Sequence, residues 1–340
     1  MFNSDYSYDN SYDKGANLMK QVTKGQWGGY DTYILHSREL ELTILPRLGN
    51  SVISLWDRKE KRHILRCPDE KDLAFFMQKP YHFGIPLLVP PGRIRKGRFQ
   101  FEGVDYQFDQ TAGENHIHGL HRTQSWCVSD IEEDEEGCAV TTEFRTEDDP
   151  NWMRQFPVPL KFEMTFRLQD NKLKQTLKVT HLGDHRIPFG IGYHTWFMID
   201  GQPERWNLKL PVESIYELSN ELLPGGNLNE LGNLEALNEG MNLQGTDFDT
   251  ALHIGDKRPV EALLLRDDGY GLRYSADENL FRHWVVYTKG PADQFLCTEP
   301  YTWLPDAPNV SDDADFTGLI VLDPGLTLEL STFLEILYPL

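Results

Sequence analysis

Four separated segments of this chain combine ionisable, polar and aromatic side chains beyond what a structural strand requires. They are Pro90-Pro91-Gly92-Arg93-Ile94-Arg95-Lys96-Gly97-Arg98-Phe99, Asn115-His116-Ile117-His118-Gly119-Leu120-His121, Gly190-Ile191-Gly192-Tyr193-His194-Thr195-Trp196-Phe197, and Cys297-Thr298-Glu299-Pro300-Tyr301-Thr302-Trp303 with its continuation to Asn309. His194, flanked by glycines and aromatics, marks backbone held close to a ligand. Glu299 sits among Tyr301, Trp303 and prolines, where desolvation raises a carboxyl pKa toward that of a useful base. An acid and a base of this kind serve proton transfer at neutral pH.

The second segment admits a different chemistry. His116 and His118 form an HxH pair, which on a strand places both rings on one face, and His121 follows closely. No Asp, Glu or Cys nearby completes a metal-binding set, so a polar sugar-binding face is the preferred reading and no metal is assigned.

The elements that must position these residues are strands. Leu40, Leu42 and Ile44 alternate with Glu39, Glu41 and Thr43, the period of a strand with one buried and one wet face. Phe162, Met164, Phe166 and Leu168 alternate with charged and polar neighbours, Asp170-Asn171 supplies a turn, and Leu173, Leu177 and Val179 continue. That pattern predicts a hairpin. Leu326, Leu328 and Leu330 follow the turn-forming Asp323-Pro324-Gly325. The best helical candidate, Leu228 to Leu237, is short and interrupted by Gly232. The acidic run Asp130 to Glu136 reads as a solvated turn. The expected fold class is therefore all-β.

Without a Pro/Gly/Ser-rich linker, residues 20–340 are expected to form a single domain, preceded by an Asn-, Asp-, Ser- and Tyr-rich arm over residues 1–19. The 33 basic and 53 acidic residues leave a formal net charge of −20, which repels nucleic acid and anionic membrane. A neutral sugar is not repelled. The N-terminus has neither a basic nor an apolar signal region, and Cys67, Cys127, Cys138 and Cys297 form no CxxC pair. A cytoplasmic protein with reduced thiols is expected.

The four segments together resemble the aldose 1-epimerase family, also called galactose mutarotase, in order over most of the chain from about residue 25 onward. Gly92-Arg93-Ile94 through Gly97 and Phe99 is similar to the family's Asn-Arg-Ile, Gly, Phe signature, and His118-Gly119 to its Leu-His-Gly motif. Tyr193-His194-Thr195-Trp196-Phe197 is similar to its Asn-His-Thr-Tyr-Phe motif. Glu299-Pro300-Tyr301-Thr302 followed by Pro305-Asp306-Ala307-Pro308-Asn309 is similar to the segment bearing the catalytic glutamate. A weaker match is Phe248-Asp249-Thr250-Ala251-Leu252, with Asp247 competing for the role of Asp249. Gly92, Ile117, Leu120 and Tyr193 depart from the usual residues at their positions, which bears on the identity of the sugar.

The resemblance implies a large antiparallel β-sandwich whose curved sheet forms an open cleft, and a reaction that interconverts α and β anomers of a free hexose. It implies Glu299 as base at the C1 hydroxyl and His194 as acid at the ring oxygen, with Arg93, His118 and Asp249 holding hydroxyls. Such a reaction needs no cofactor; the one implied partner is the small sugar itself. Three alternatives stand beside it. A hexose 6-phosphate mutarotase would need a cationic clamp from Arg95, Lys96 and Arg98. A non-catalytic carbohydrate-binding protein would have no use for an acid and base pair. A metal-dependent sugar isomerase or lyase would be built on His116, His118 and His121.

Overall fold

The computed structural model describes residues 21–288, 290 and 294–339; the arm expected over residues 1–19 lies outside them. Two large sheets dominate, and every pairing between named strands is antiparallel. The all-β, sandwich-type expectation is met. In the nine-stranded sheet, Leu160–Gln169 and Lys172–His181 form the hairpin predicted from their alternation, with Leu160, Phe162, Met164, Phe166 and Leu168 buried. The near-terminal strand Thr327–Leu337 inserts between Lys172–His181 and Gly271–Ala276, so residues far apart in sequence close the middle of this sheet.

The eight-stranded sheet runs from Pro224–Asn229 through Ser214–Leu218, Asp249–His253, His283–Tyr287 and Phe295–Tyr301 to Gly192–Tyr193 and Leu87–Leu88. Thr195–Met198 also pairs with Phe295–Tyr301. Side chains alternate across a strand, so each strand of this sheet offers one face to its larger neighbour and one away from it. Tyr274, on the nine-stranded sheet, shows the first contact: its ring meets Phe197 and Trp284, and its hydroxyl pairs with that of Thr195. Apolar burial between the two layers, at roughly 25 cal/mol per Å², drives the packing. The opposite face of the eight-stranded sheet is left to form a cleft.

A five-stranded sheet from Val22 to His63 flanks these layers and carries the predicted strand Leu40–Leu45. Two expectations change. The segment Leu228 to Leu237 is no α-helix: Pro224–Asn229 is a strand and Gly232–Asn238 a 3₁₀-helix, because glycine and short apolar spacing do not sustain an amphipathic α stripe. The acidic run is only partly a turn, since Cys127–Glu133 forms an exposed strand at the edge of the large sheet and the turn follows at Asp134. Charged side chains protect such an edge from further pairing. Among the described residues, no helix is long and apolar enough to cross a membrane.

Candidate active site

Strand register fixes the floor of the cleft. Asp249 pairs with Tyr287, Tyr287 with Cys297, and Cys297 with Trp196, giving one row across four strands. Two residues along, Ala251 pairs with Val285 and Val285 with Glu299. Thr298 pairs with Thr195, so the next step places Glu299 beside His194. Because residues two apart share a face, Asp249, Glu299, His194, Tyr287, Trp196 and Tyr301 all line the same hollow. Asp249, rather than its competitor Asp247, is the aspartate in the lining.

The wall comes from the first two motif segments, whose short strands Arg93–Ile94 and His116–Ile117 pair with each other. His118 ends this pairing with φ 60°, and its amide donates to the Gly92 carbonyl. Gly119 follows at φ 70°, where a Cβ would run into the Val89 carbonyl oxygen. That turn directs the His118 ring toward His194, centroids 5.3 Å apart, and under Tyr81 at 4.8 Å. Arg93 and His118 thus face Asp249, His194 and Glu299 across a cavity of about 280 Å³. All five expected site residues converge on it.

At its centre, Nε2 of His194 lies 3.3 Å from Oε1 of Glu299. The other carboxyl oxygen, Oε2, accepts a 2.5 Å hydrogen bond from the Tyr301 hydroxyl. The indole of Trp196 stacks parallel to the His194 ring with centroids 5.0 Å apart, and is itself tied through Nε1 to the Tyr81 carbonyl. Both members of the central pair are buried. Burial pushes Glu299 well above the usual carboxyl range, partly opposed by the Tyr301 hydrogen bond and reinforced by Asp249. Burial also pulls His194 down to about 3. The direction for Glu299 agrees with the sequence expectation. For His194 the direction runs against the charged form expected of an acid, because burial favours the neutral imidazole. His118 is likewise held neutral by burial and by the neighbouring His194 and arginines. Asp249 is raised by burial, opposed by Arg93 and reinforced by Asp247.

Residues 31–335 match the aldose 1-epimerase family model. The chain belongs to the aldose 1-epimerase family. Its fold is similar to that of a galactose mutarotase-like protein from Clostridium acetobutylicum, with 21% identity, 93% of this chain and 98% of that chain covered, and a TM-score of 0.87. It is also similar to galactose 1-epimerase from Lactobacillus acidophilus, at 16% identity, 93% and 97% coverage and a TM-score of 0.73. An aldose epimerase homologue from C. elegans matches at 18% identity, 92% and 99% coverage and a TM-score of 0.71.

Within this member of the aldose 1-epimerase family, two clusters weighed from sequence do not assemble as sites. The three histidines separate: His116 donates through Nδ1 to the Asp109 carbonyl, His118 enters the cleft, and His121 is buried among Trp126, Phe144, Trp152 and Phe162. The positive φ at His118 breaks the strand that would have aligned the first two. Arg95 and Lys96 likewise leave the strand for a 3₁₀ turn. There the Arg95 amide and Nε both donate to the buried Asp306, and Arg95, Lys96 and Arg98 face a separate depression with Gln100 and Asn309. Among the described residues, the donor set that lies within reach of one ion is His194, Cys297 and Glu299.

Tyr81, His82 and Tyr287 also line the cleft without having been singled out. Tyr81 and His82 come from the turn Pro80–His82, which the isolated Pro80-Tyr81-His82 run hints at; Tyr287 looks like any strand aromatic until its register is known.

Proposed function

We propose that this protein interconverts the α and β anomers of a free hexose by acid and base catalysis in the cleft. The observation that carries this reading is the 3.3 Å contact between His194 and Glu299 on the cleft floor, with Arg93, His118 and Asp249 around it. A binding module has no need for a buried carboxyl and imidazole in contact, since each costs desolvation free energy.

The proton inventory of the pair fits the reaction. A protonated Glu299 beside neutral His194 holds one shared proton, and so does the ionic form, carboxylate beside imidazolium. Moving that proton across the contact converts one into the other. In the ionic form, Glu299 takes the C1 hydroxyl proton while His194 delivers one to the ring oxygen, and the C1 to ring-oxygen bond breaks to give the aldehyde. The pair is then in the neutral form that burial favours. Rotation about C1 to C2 turns the aldehyde over. Neutral His194 then removes the proton from the sugar hydroxyl that attacks C1, while Glu299 returns its proton to the carbonyl oxygen, and the ionic form is restored. Each placed proton carrier is typically worth roughly 10² to 10⁴ in rate.

The remaining residues orient the ring. Arg93 offers a fork of donors, while neutral His118 and Asp249 supply donor and acceptor capacity, fixing which oxygen meets which catalyst. A phosphate would find little in the motif cations, because Arg95 is held by Asp306 and faces away from the cleft. Polarimetry of freshly dissolved α-glucose and α-galactose tests the proposal. Acceleration of their decay toward equilibrium is the expected result, and rates equal to buffer alone for every aldose tried would overturn it.

A further inference from the structure

We propose that the cleft floor is also a binding site for a soft divalent cation of the zinc type, formed by His194, Cys297 and Glu299, and that the bound ion blocks the sugar site. The three residues are buried, and one ligand atom from each lies within 4.8 Å of the others. Cys297 belongs to this set through register: it precedes Glu299 by two residues and shares its face of the strand Phe295–Tyr301. Imidazole nitrogen, thiolate sulfur and carboxylate oxygen are the ligand types that zinc selects, at about 2.0 to 2.3 Å.

The geometry is near to what such an ion needs. Two atoms 3.3 Å apart, each bonded to the metal at about 2.05 Å, subtend roughly 107°, close to tetrahedral. The thiol has to approach by up to about 1.2 Å from the 4.8 Å limit to reach the roughly 3.6 Å spacing of sulfur and nitrogen in such a site. Tyr301 already orients the carboxyl by holding Oε2, leaving Oε1 toward the ion, as outer partners of metal ligands do. Binding releases the carboxyl proton of Glu299 and the thiol proton of Cys297 to solvent, and the resulting carboxylate and thiolate cancel the charge of a divalent ion, so the buried complex is neutral. The fourth position is on the side of the cleft, which His194 and Glu299 line.

An ion there occupies Nε2 of His194 and a carboxylate oxygen of Glu299, the atoms assigned to proton transfer. The blocking effect rests on the anomer-exchange reading; the binding does not. The two are separated by titrating chelator-treated protein with cobalt(II) in the absence of sugar. The wild type should develop, at one equivalent, a thiolate-to-cobalt charge-transfer absorption with the intense visible bands of four-coordination, and zinc should displace it. Cys297→Ala and Cys297→Ser should both lose that absorption. With α-galactose present, zinc should slow anomer exchange in the wild type in competition with the sugar, and at least about tenfold more zinc should be needed in either variant, the loss of roughly 1.4 kcal/mol of binding. Absence of the thiolate absorption at stoichiometric cobalt overturns the site. Equal zinc sensitivity in the variants overturns the role of Cys297. Cobalt binding without any anomer exchange would leave the metal site standing and remove the mutarotase reading.

Discussion

Tyr301 reaches back two residues along its own strand and donates a 2.5 Å hydrogen bond to Glu299, so the strand that carries the carboxyl also carries its restraint. The bond favours the charged carboxylate and opposes the upward push of burial. Removing it in Tyr301→Phe leaves Glu299 harder to ionise and freer to rotate. A hydrogen bond to a charged group is worth about 1.5 to 3 kcal/mol. The expected loss in kcat is therefore roughly 10- to 100-fold, with little change in KM. Steady-state polarimetry at several pH values measures it, and a Tyr301→Phe enzyme as fast as wild type would contradict the role.

Glu299→Gln and His194→Asn each remove a proton carrier while keeping shape and hydrogen-bonding capacity. Both should remain folded by circular dichroism and both should lose roughly 10² to 10⁴ in kcat. The wild-type pH profile should also differ from that of an ordinary histidine. With His194 drawn down to about 3 and Glu299 raised, the pair keeps its single proton across the mildly acid and neutral range. Activity should therefore persist well below pH 6.5, falling only as the imidazole gains a second proton. A decline centred near 6.5 in folded enzyme would refute the assignment.

Arg93 and Arg95 are two residues apart yet should behave differently. Arg93 lines the cleft, while Arg95 is bound to Asp306 outside it. Arg93→Ala should raise KM by roughly 10- to 100-fold, as expected for losing hydrogen bonds from a charged donor. Arg95→Ala should lower the melting temperature, because buried Asp306 loses a partner, and should leave the ratio of kcat/KM for free and phosphorylated hexose unchanged. A collapse of glucose 6-phosphate turnover in Arg95→Ala alone would restore the phosphate reading.

The contrast between these arginines marks what the sequence could convey. Strands with one wet face, such as Leu160–Gln169, announce themselves by alternation, because burial on one side alone imposes period two. The four chemical segments were visible from residue type, and their resemblance to one family supplied their roles. Register across a sheet is non-local, so nothing near Tyr287 or Cys297 in the sequence indicates that they share a row with Asp249 and Trp196. The left-handed turn at His118 and the 3₁₀ turn at Arg95–Gly97 were hidden for another reason. Both put a residue other than glycine, His118 or Lys96, at positive φ, which residue type alone does not announce.

Buried histidines outside the cleft should make the fold lose stability in acid. His121 sits fully buried with its ring edge-on or tilted against Trp126, Phe144, Trp152 and Phe162, and neither ring nitrogen has a hydrogen-bond partner among the described residues. Burial holds it down to about 3, against about 6.5 in an unfolded chain. The unfolded state therefore binds the extra proton first. Its contribution is fully present above pH 6.5 and drains away as pH falls from there toward 3, at up to about 1.4 kcal/mol per pH unit. Between pH 7 and pH 5 this one group should cost the fold about 1 to 2 kcal/mol. His283, buried and also drawn to about 3, and His116, drawn to about 4, add to the same slope. His121→Phe removes one titrating group while keeping an aromatic ring in the cage. Whatever the change in stability at pH 7, its urea-derived unfolding free energy should fall by about 1 to 2 kcal/mol less than the wild type's on moving to pH 5. If the two proteins lose the same amount, His121 is already reached by water and its cage is not as closed as its contacts indicate.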